Sequence, residues 1–234
     1  MIDSSALRTR LDEVRARIVR AAGRAGRDPA SITLVAVSKT FPVDFVRAAA
    51  DLGQIDFGEN KVQEALPKMD QTADLSIRWH LVGHLQSNKA RKAIRFDVIH
   101  SVDSAALALR LDEAAREAQK RVDLLVQVDL AGEATKHGAP EDELAGIFDA
   151  ARTQAAVRLV GLMLLPPAVD DPEAVRPYFR RLREARERLL ARGVAAAALA
   201  ELSMGMSHDF EVAVEEGATL VRVGTAIFGE RSVR

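Results

Sequence analysis

The chain has 234 residues and no cysteine, and its 33 Lys and Arg residues are balanced by 34 Asp and Glu residues. The near-neutral charge gives no electrostatic reason to expect a nucleic-acid partner, and the lack of cysteine excludes disulfides and zinc-thiolate sites. Charged residues run through the first twenty positions, and no later apolar run is long enough to cross a bilayer, so we expect a cytoplasmic protein with no membrane association.

The first predicted element is an amphipathic helix over residues 5–25. Leu7, Leu11, Val14 and Ile18 recur at helical spacing among arginines. This pattern is typical of a surface helix that buries one face.

Eight β-rich runs then alternate with longer helical patterns. The candidate strands are 32–38, 54–57, 77–82, 97–101, 122–128, 157–163, 199–203 and 219–223. The candidate helices are 43–52, 60–70, 86–95, 104–119, 140–152, 172–192 and 207–217, with a short one that opens near Thr225. Such alternation requires parallel strands joined by crossover helices, and eight repeats favour an α/β fold with a closed (β/α)8 barrel of the TIM type. No Gly-, Ser- or Pro-rich linker interrupts the series, so we expect one domain over residues 1–234.

A lysine closes the first predicted strand. Lys39 follows the apolar run LVAV and a serine, and barrels of this type carry their active sites on the loops after the strands. A lysine amine that loses solvation there becomes neutral more easily, as Schiff-base chemistry with an aldehyde requires. The alternative is a lysine that reaches solvent or pairs with a carboxylate.

The second strand is predicted to end in FGENKVQE. Gly58 would permit a tight turn, and Asn60 would cap the next helix with Gln63 in capping-box spacing. That structural role explains Asn60 fully, so a ligand role is an addition to it.

Two histidines follow, in WHLVGHLQSNK. His80 and His84 are separated by Gly83, and no glutamate of a metalloprotease helix stands between them, so we expect no metal site. His80 is expected to be a packed or hydrogen-bonded barrel residue. Met163, at the end of the sixth strand, is expected to fill the core or to line a flat ring.

The last two strands are followed by small and hydroxyl-bearing residues. Ser203, Gly205 and Ser207 follow the seventh strand, and Gly224 and Thr225 follow the eighth. Two such turns, each leading into a helix, direct backbone N–H groups toward one place, which is how barrels bind phosphate near their last two strands.

Together, the lysine and the phosphate site predict an aldehyde that carries a phosphate. Arg222 would add positive charge if its side chain points inward, and otherwise it would pair on the outside. Pyridoxal 5′-phosphate (PLP) has this constitution, and so does a phosphorylated sugar aldehyde. The residues alone leave both open.

The chain also resembles a known family. Its motifs AVSKT, FGENKVQE, WHLVGHLQSNK, SVDS, GLMLLPP and LSMGMSHDFEVAVEEGATLVRVGTAIFGER, which run in this order from residue 35 to residue 230, resemble those of the pyridoxal phosphate homeostasis protein family. That family is similar to the N-terminal barrel of alanine racemase.

The resemblance implies roles for individual residues. Lys39 matches the Schiff-base lysine of the motif AVSKT, and Lys136 in ATKHG matches a loop lysine that contacts or relays the cofactor. The phosphate-binding set implied by LSMGMS and VRVGT is Ser203, Ser207, Arg222, Gly224 and Thr225. Asn60 and Met163 are implied to lie beside the cofactor. Phe41 is a departure, since some bacterial members carry a second lysine there.

The resemblance further implies a PLP-binding protein that maintains PLP (vitamin B6) homeostasis, supplies apo-enzymes and is a monomer. The rival functions are a fold-type III enzyme such as an amino-acid racemase, and a sugar-phosphate aldolase. Racemisation needs a second base, which is a tyrosine from an additional domain in alanine racemase. The single tyrosine here, Tyr178, lies inside a predicted helix, so we expect a non-catalytic protein.

Overall fold

The computed structural model describes residues 3–130, 132 and 137–230. Eight parallel strands form a closed barrel in sequence order, β1 to β8. The strands are β1 (Thr33–Val37), β2 (Asp56–Glu59), β3 (Arg78–Leu81), β4 (Val98–Val102), β5 (Val122–Val128), β6 (Val157–Leu164), β7 (Glu201–Met206) and β8 (Leu220–Val223). Closure places Ala36 of β1 in register with Phe57 of β2 on one side and with Val223 of β8 on the other. The predicted (β/α)8 fold is confirmed.

The helices surround the barrel. They are α1 (Ser4–Arg24), α2 (Val43–Asp51), α3 (Val62–Gln71), α4 (Ala90–Ala93), α5 (Ala105–Glu117), α6 (Leu144–Ala151), α7 (Arg176–Ala191), α8 (Phe210–Glu215) and α9 (Thr225–Phe228). The additional helix α1 begins after Asp3, whose carboxylate caps it by accepting a hydrogen bond from the Ala6 N–H. It packs against α8 and α9, and the Arg10 side chain donates to the carbonyl of Ile227 over 2.7 Å.

Two apolar clusters hold the structure together. The larger one lies between the barrel and the helices and includes the fully buried rings of Phe57, Phe96, Phe179 and Phe210. The smaller one fills the barrel with side chains from five strands, namely Val35, Val98, Leu125, Val160, Met163 and Leu220. Burial of aliphatic and aromatic side chains of this size contributes roughly 1.5–3 kcal/mol each.

The second strand ends later than predicted. Gly58 and Glu59 belong to β2, so Gly58 forms no tight turn. A Cβ at Gly58 would lie 3.1 Å from methyl groups of both Val35 and Val37, so the glycine serves close packing inside the barrel. The predicted cap at Asn60 is also wrong, because α3 begins at Val62 and no side chain caps its first turn.

The seventh strand is likewise longer than predicted. Gly205 lies within β7 rather than in the turn after it. Gly205 has a φ of +91°, and the register between β7 and β8 shifts between Ser203 and Met206. At the last residue of the strand, the Met206 N–H donates to the Asp209 carboxylate over 2.6 Å.

Other differences are local. The predicted helix 86–95 is a 3-10 turn followed by the short α4, and a 3-10 helix at Ala196–Leu199 precedes β7. Within the described part of the chain, no helix combines the length and the apolar character that a membrane crossing needs.

We predict that Gly161→Ala lowers the free energy of unfolding by about 1–3 kcal/mol, the usual cost of overpacking. A Cβ at Gly161 would lie 1.9 Å from the carbonyl oxygen of Glu201, so β6 and β7 must separate. Urea denaturation measures the change. The control is Gly146→Ala in α6, where a Cβ meets no atom within 4 Å, and where alanine is expected to stabilise by up to about 1 kcal/mol. Equal effects of the two substitutions would contradict the prediction.

Candidate functional site

Lys39 lies in the turn that follows the carboxyl end of β1. Val35 is part of the cluster inside the barrel, and side chains along a strand alternate between the two faces. By that alternation Val37 shares the inner side with Val35, whereas Ser38 faces outward toward α3. Lys39 is partly exposed, and the turn after it places Thr40 at a φ of +69°.

Barrel closure brings the start of α9 beside this lysine. Gly224 follows the register pair Ala36 and Val223, and a Cβ on Gly224 would lie 3.1 Å from the carbonyl oxygen of Val37. A larger residue would therefore force the two backbones apart by a few tenths of an ångström. The Ser207 hydroxyl lies at the same place and accepts hydrogen bonds from the N–H groups of Gly224 and Ala226 over 3.1 and 3.4 Å.

The mouth near Lys39 thus collects part of the predicted phosphate set. Ser207, Gly224 and Thr225 are together at one rim, and Thr225 is exposed. Ser203 and Arg222 lie elsewhere, inside the barrel, where they are 0% and 4% exposed.

Arg222 points inward. Its guanidinium donates to the Ser203 hydroxyl over 2.5 Å and to the carbonyl of Leu164 over 2.8 Å, so the alternative of an outward ion pair is wrong. Burial lowers the pKa of Arg222 to about 10, although the negative charge of Asp209 acts in the opposite direction. The guanidinium therefore remains charged at neutral pH.

A chain of buried hydrogen bonds crosses the barrel interior from Arg222. Ser203 Oγ is 2.8 Å from His100 Nδ1, His100 Nε2 is 2.9 Å from His80 Nδ1, and His80 Nε2 is 2.8 Å from Asp56 Oδ1. The members come from β8, β7, β4, β3 and β2. His80 is the hydrogen-bonded barrel residue that the sequence predicts, whereas no pattern in the sequence predicts the roles of His100 and Asp56.

One assignment of hydrogens satisfies every member with neutral imidazoles. Because Arg222 can only donate, Ser203 accepts from it and donates its own hydrogen to His100. His100 then donates to His80, which donates to the carboxylate of Asp56. Burial and the neighbouring His80 and Arg222 hold the pKa of His100 well below its ordinary value. For Asp56, burial raises the pKa, but the hydrogen bond from His80 and the charge of Arg78 leave the pKa below its ordinary value.

The remaining predicted residues lie at different depths. Met163 is fully buried inside the barrel and is in register with Ser203. Asn60 follows β2, and its carbonyl approaches Gly83 so closely that a Cβ there would lie 2.2 Å from the oxygen. Lys136 lies outside the described residues.

A buried ion pair that the sequence did not reveal lies behind Lys39. The Lys68 ammonium is 2.6 Å from Glu59 Oε1 and 2.8 Å from the carbonyl oxygen of Ser38. The Ser38 hydroxyl donates to the same Glu59 oxygen over 2.7 Å. Lys68 reads as a surface lysine of an amphipathic helix, and only the fold shows that it is buried. We call Ser38, Glu59 and Lys68 the Ser38 clamp.

Phe41 has a packing role. Its ring centroid is 5.1 Å from that of Phe45 in α2 and 5.3 Å from that of Phe228 in α9, and the latter two rings are 6.3 Å apart. Aromatic pairs at these separations are favourable. Phe41 therefore joins the turn that carries Lys39 to the helix that carries Thr225.

His84 belongs to no metal site in the described residues, where no group of three or more His, Asp or Glu side chains is arranged to hold an ion. Its ring stacks on that of His137 with the centroids 3.5 Å apart. Burial and the neighbouring His137 lower its pKa, against the opposing charge of Asp103.

The chain is similar to pyridoxal phosphate homeostasis proteins of bacteria. Residues 2–232 match the family described as alanine racemase, N-terminal domain. The pyridoxal phosphate homeostasis protein of Aquifex aeolicus is 44% identical over 95% of this chain and 97% of that protein, and that of Pseudomonas aeruginosa is 44% identical over 97% and 96%. The structure of PipY from Synechococcus elongatus with PLP bound superposes with a TM-score of 0.85 at 40% identity, over 95% of this chain and all of that one.

We predict that stability falls as the pH drops below about 6.5, the ordinary pKa of histidine. Since the folded-state pKa of His100 is depressed, the unfolded chain binds a proton there more readily. The contribution is fully present above pH 6.5 and is lost below it, at up to about 1.4 kcal/mol per pH unit. Urea denaturation between pH 7 and pH 5 measures the slope.

In this experiment His100→Asn is expected to flatten the slope, whatever its effect on stability at pH 7. The control is His208→Asn, because His208 is exposed and donates only to the carbonyl of Asp170. An unchanged slope in His100→Asn would contradict the prediction.

Proposed function

The chain belongs to the alanine racemase N-terminal domain family, with pyridoxal phosphate homeostasis proteins as its relatives at 44% identity, and from this premise we propose that it binds PLP reversibly and maintains PLP homeostasis. The observation that carries the proposal is the position of Lys39 beside the turn formed by Ser207, Gly224 and Thr225, which we call the Gly224 cradle. Within one mouth, the lysine in the turn after β1 lies near a glycine at which an added Cβ would press on the Val37 carbonyl oxygen at 3.1 Å.

The residues fit the cofactor. Bound PLP supplies an aldehyde whose carbon forms a C=N bond with an amine while its oxygen leaves as water, so the Schiff base needs no oxidant. In the proposal Lys39 provides the amine. Ser207, Gly224 and Thr225 hold the phosphate through hydroxyl and N–H groups, and the Gly224 cradle brings those groups near the lysine.

Ser203 and Arg222 are proposed to act on the phosphate from inside the barrel. They place one positive charge, oriented by the buried hydrogen-bond chain, at the floor of the mouth. A charge on a side chain held by two neighbours is preorganised for an anionic ligand. Asn60 and Met163 are proposed as neighbours of the ring, and Lys136 as a residue that contacts or relays PLP.

We propose that the protein is a carrier and not a racemase. A racemase needs a base on each face of the substrate. Tyr178, the single tyrosine, lies in α7 and packs against the main core cluster, where its ring contributes to stability. The relatives' names as homeostasis proteins support the same proposal.

The proposal extends to partners and location. The protein is proposed to be a cytoplasmic monomer that supplies apo forms of PLP-dependent enzymes. A ligand held by a reversible covalent bond can be released to an incoming amine, which is the chemistry that such supply requires.

We predict that the purified protein absorbs visible light when loaded with PLP, and that borohydride fixes PLP to Lys39, as mass spectrometry of the digested protein would show. Lys39→Ala should abolish both signals. Lys61→Ala is the matched control, because Lys61 is exposed and pairs with Glu64 on the surface. Alanine should be racemised at no useful rate. A protein that takes up no PLP would overturn the proposal, and robust racemisation that Lys39→Ala abolishes would establish the enzyme instead.

Supply to apo-enzymes has its own test. At a fixed total PLP concentration, an apo-aminotransferase is expected to gain activity faster with the loaded protein than with free PLP. The Lys39→Ala protein mixed with PLP is expected to behave as free PLP. Equal or slower activation by the loaded protein would mean passive buffering and would contradict supply.

A further inference from the structure

The Ser38 clamp grips the peptide that precedes Lys39 from two directions. Glu59 Oε1 accepts from the Ser38 hydroxyl over 2.7 Å, and the Lys68 ammonium donates to the Ser38 carbonyl over 2.8 Å. The ammonium also contacts the same Glu59 oxygen over 2.6 Å. Both polar groups of Ser38 beyond its N–H are therefore held by one ion pair.

The backbone around Ser38 is fixed as well. The Ser38 N–H donates to the carbonyl of Gly58 over 2.9 Å, which extends the β1–β2 ladder by one residue. The Ser38 carbonyl also accepts from the N–H of Phe41 over 3.1 Å. This bond closes the tight turn in which Thr40 takes a φ of +69°. The chain direction at Lys39 is thus determined by contacts on the helix side of the strand, away from the barrel interior.

Stability alone does not explain the Ser38 clamp, because burying its two charges costs free energy. The Glu59 and Lys68 side chains are 0% and 11% exposed, and Glu59 Oε2 has no hydrogen-bond partner in the described residues. A buried ion pair seldom stabilises more than apolar residues of the same volume, because both charges lose their hydration. A carboxylate oxygen left without a donor adds to this cost. The ion pair instead fixes the orientation of the Ser38 peptide through two charge-assisted hydrogen bonds.

We propose that Glu59 and Lys68 are positioning residues, which act through Ser38 to aim the Lys39 amine at the aldehyde carbon of a ligand whose phosphate is anchored at Gly224. The inference rests on the proposed function. Neither residue touches the ligand in this proposal. The clamp and the cradle lie on opposite sides of β1, so the lysine is held from one side and the phosphate from the other.

The test compares two probes on the apo-protein. PLP carries the aldehyde, whereas pyridoxine 5′-phosphate carries an alcohol in its place and cannot condense with an amine. The variant Glu59→Leu/Lys68→Met removes both charges together, so that no unpaired charge stays buried. We expect its affinity for PLP to fall about tenfold, a factor that titration resolves readily, with unchanged affinity for pyridoxine 5′-phosphate.

Two further variants keep the test decisive. Ser38→Ala removes only the hydroxyl and is expected to reduce the PLP preference in the same direction, including in the event that the double variant does not fold. Lys68→Arg keeps the charge and the donors and is expected to retain most of the preference. The control Glu216→Leu/Arg183→Met removes a similarly buried carboxylate at the end of α8 together with one of the three arginines that pair with it, Arg176, Arg180 and Arg183, and is expected to leave the preference unchanged.

Each outcome separates this inference from the proposed function. An equal loss of affinity for both probes, or no loss for either, would overturn the positioning role. If the unmodified protein itself shows no preference for PLP, and Lys39→Ala leaves its PLP affinity unchanged, the proposed function fails before the clamp is tested.

Discussion

The contact on which the site depends is the pairing of the first strand with the last. Parallel strands have all their carboxyl ends on one side, and closure of the sheet makes β1 a neighbour of β8. Residues almost two hundred positions apart in the sequence, Lys39 and Gly224, thereby meet at one mouth. A Cβ on Gly224 would lie 3.1 Å from the Val37 carbonyl oxygen, and this close approach of the two backbones depends on closure of the last seam of the barrel.

The barrel interior is filled by an apolar cluster and, alongside it, by a chain of hydrogen-bonded polar side chains. Its apolar cluster excludes water, as in other barrels of this size. Alongside it, the chain from Arg222 to Asp56 carries a positive charge at one end and a negative charge at the other, with two imidazoles and a hydroxyl between them. Each member has its partner, so the chain avoids the penalty of an unsatisfied polar group. The chain thus fixes the position of a positive charge inside the barrel, where the negative charge of Asp209 also acts on it.

The periodicity of apolar residues is sufficient to predict the (β/α)8 architecture, because each strand and each helix carries its own apolar pattern. Patterns were less informative where a strand end is polar or small. Glu59 reads as a loop residue although it ends β2, and Gly205 reads as a turn residue although it lies within β7. The members of the interior chain come from five different strands, so only strand register brings His80 and His100 together. Lys68 shows the same limit, because burial of a single helical lysine leaves no trace in its spacing.

The position of α1 has a consequence for how the protein is made. Its apolar face, with Leu7, Leu11, Val14 and Ile18 buried, covers α8 and α9, which come last in the order of described elements. The first helix is therefore synthesised long before its docking surface exists. Until α8 and α9 have been made, its apolar stripe has no native partner, and the seam between β1 and β8 cannot close. Long-range contacts of this kind form slowly and leave apolar surface accessible in the meantime, so α1 is exposed to aggregation for longer than a helix that packs on its neighbours in the sequence.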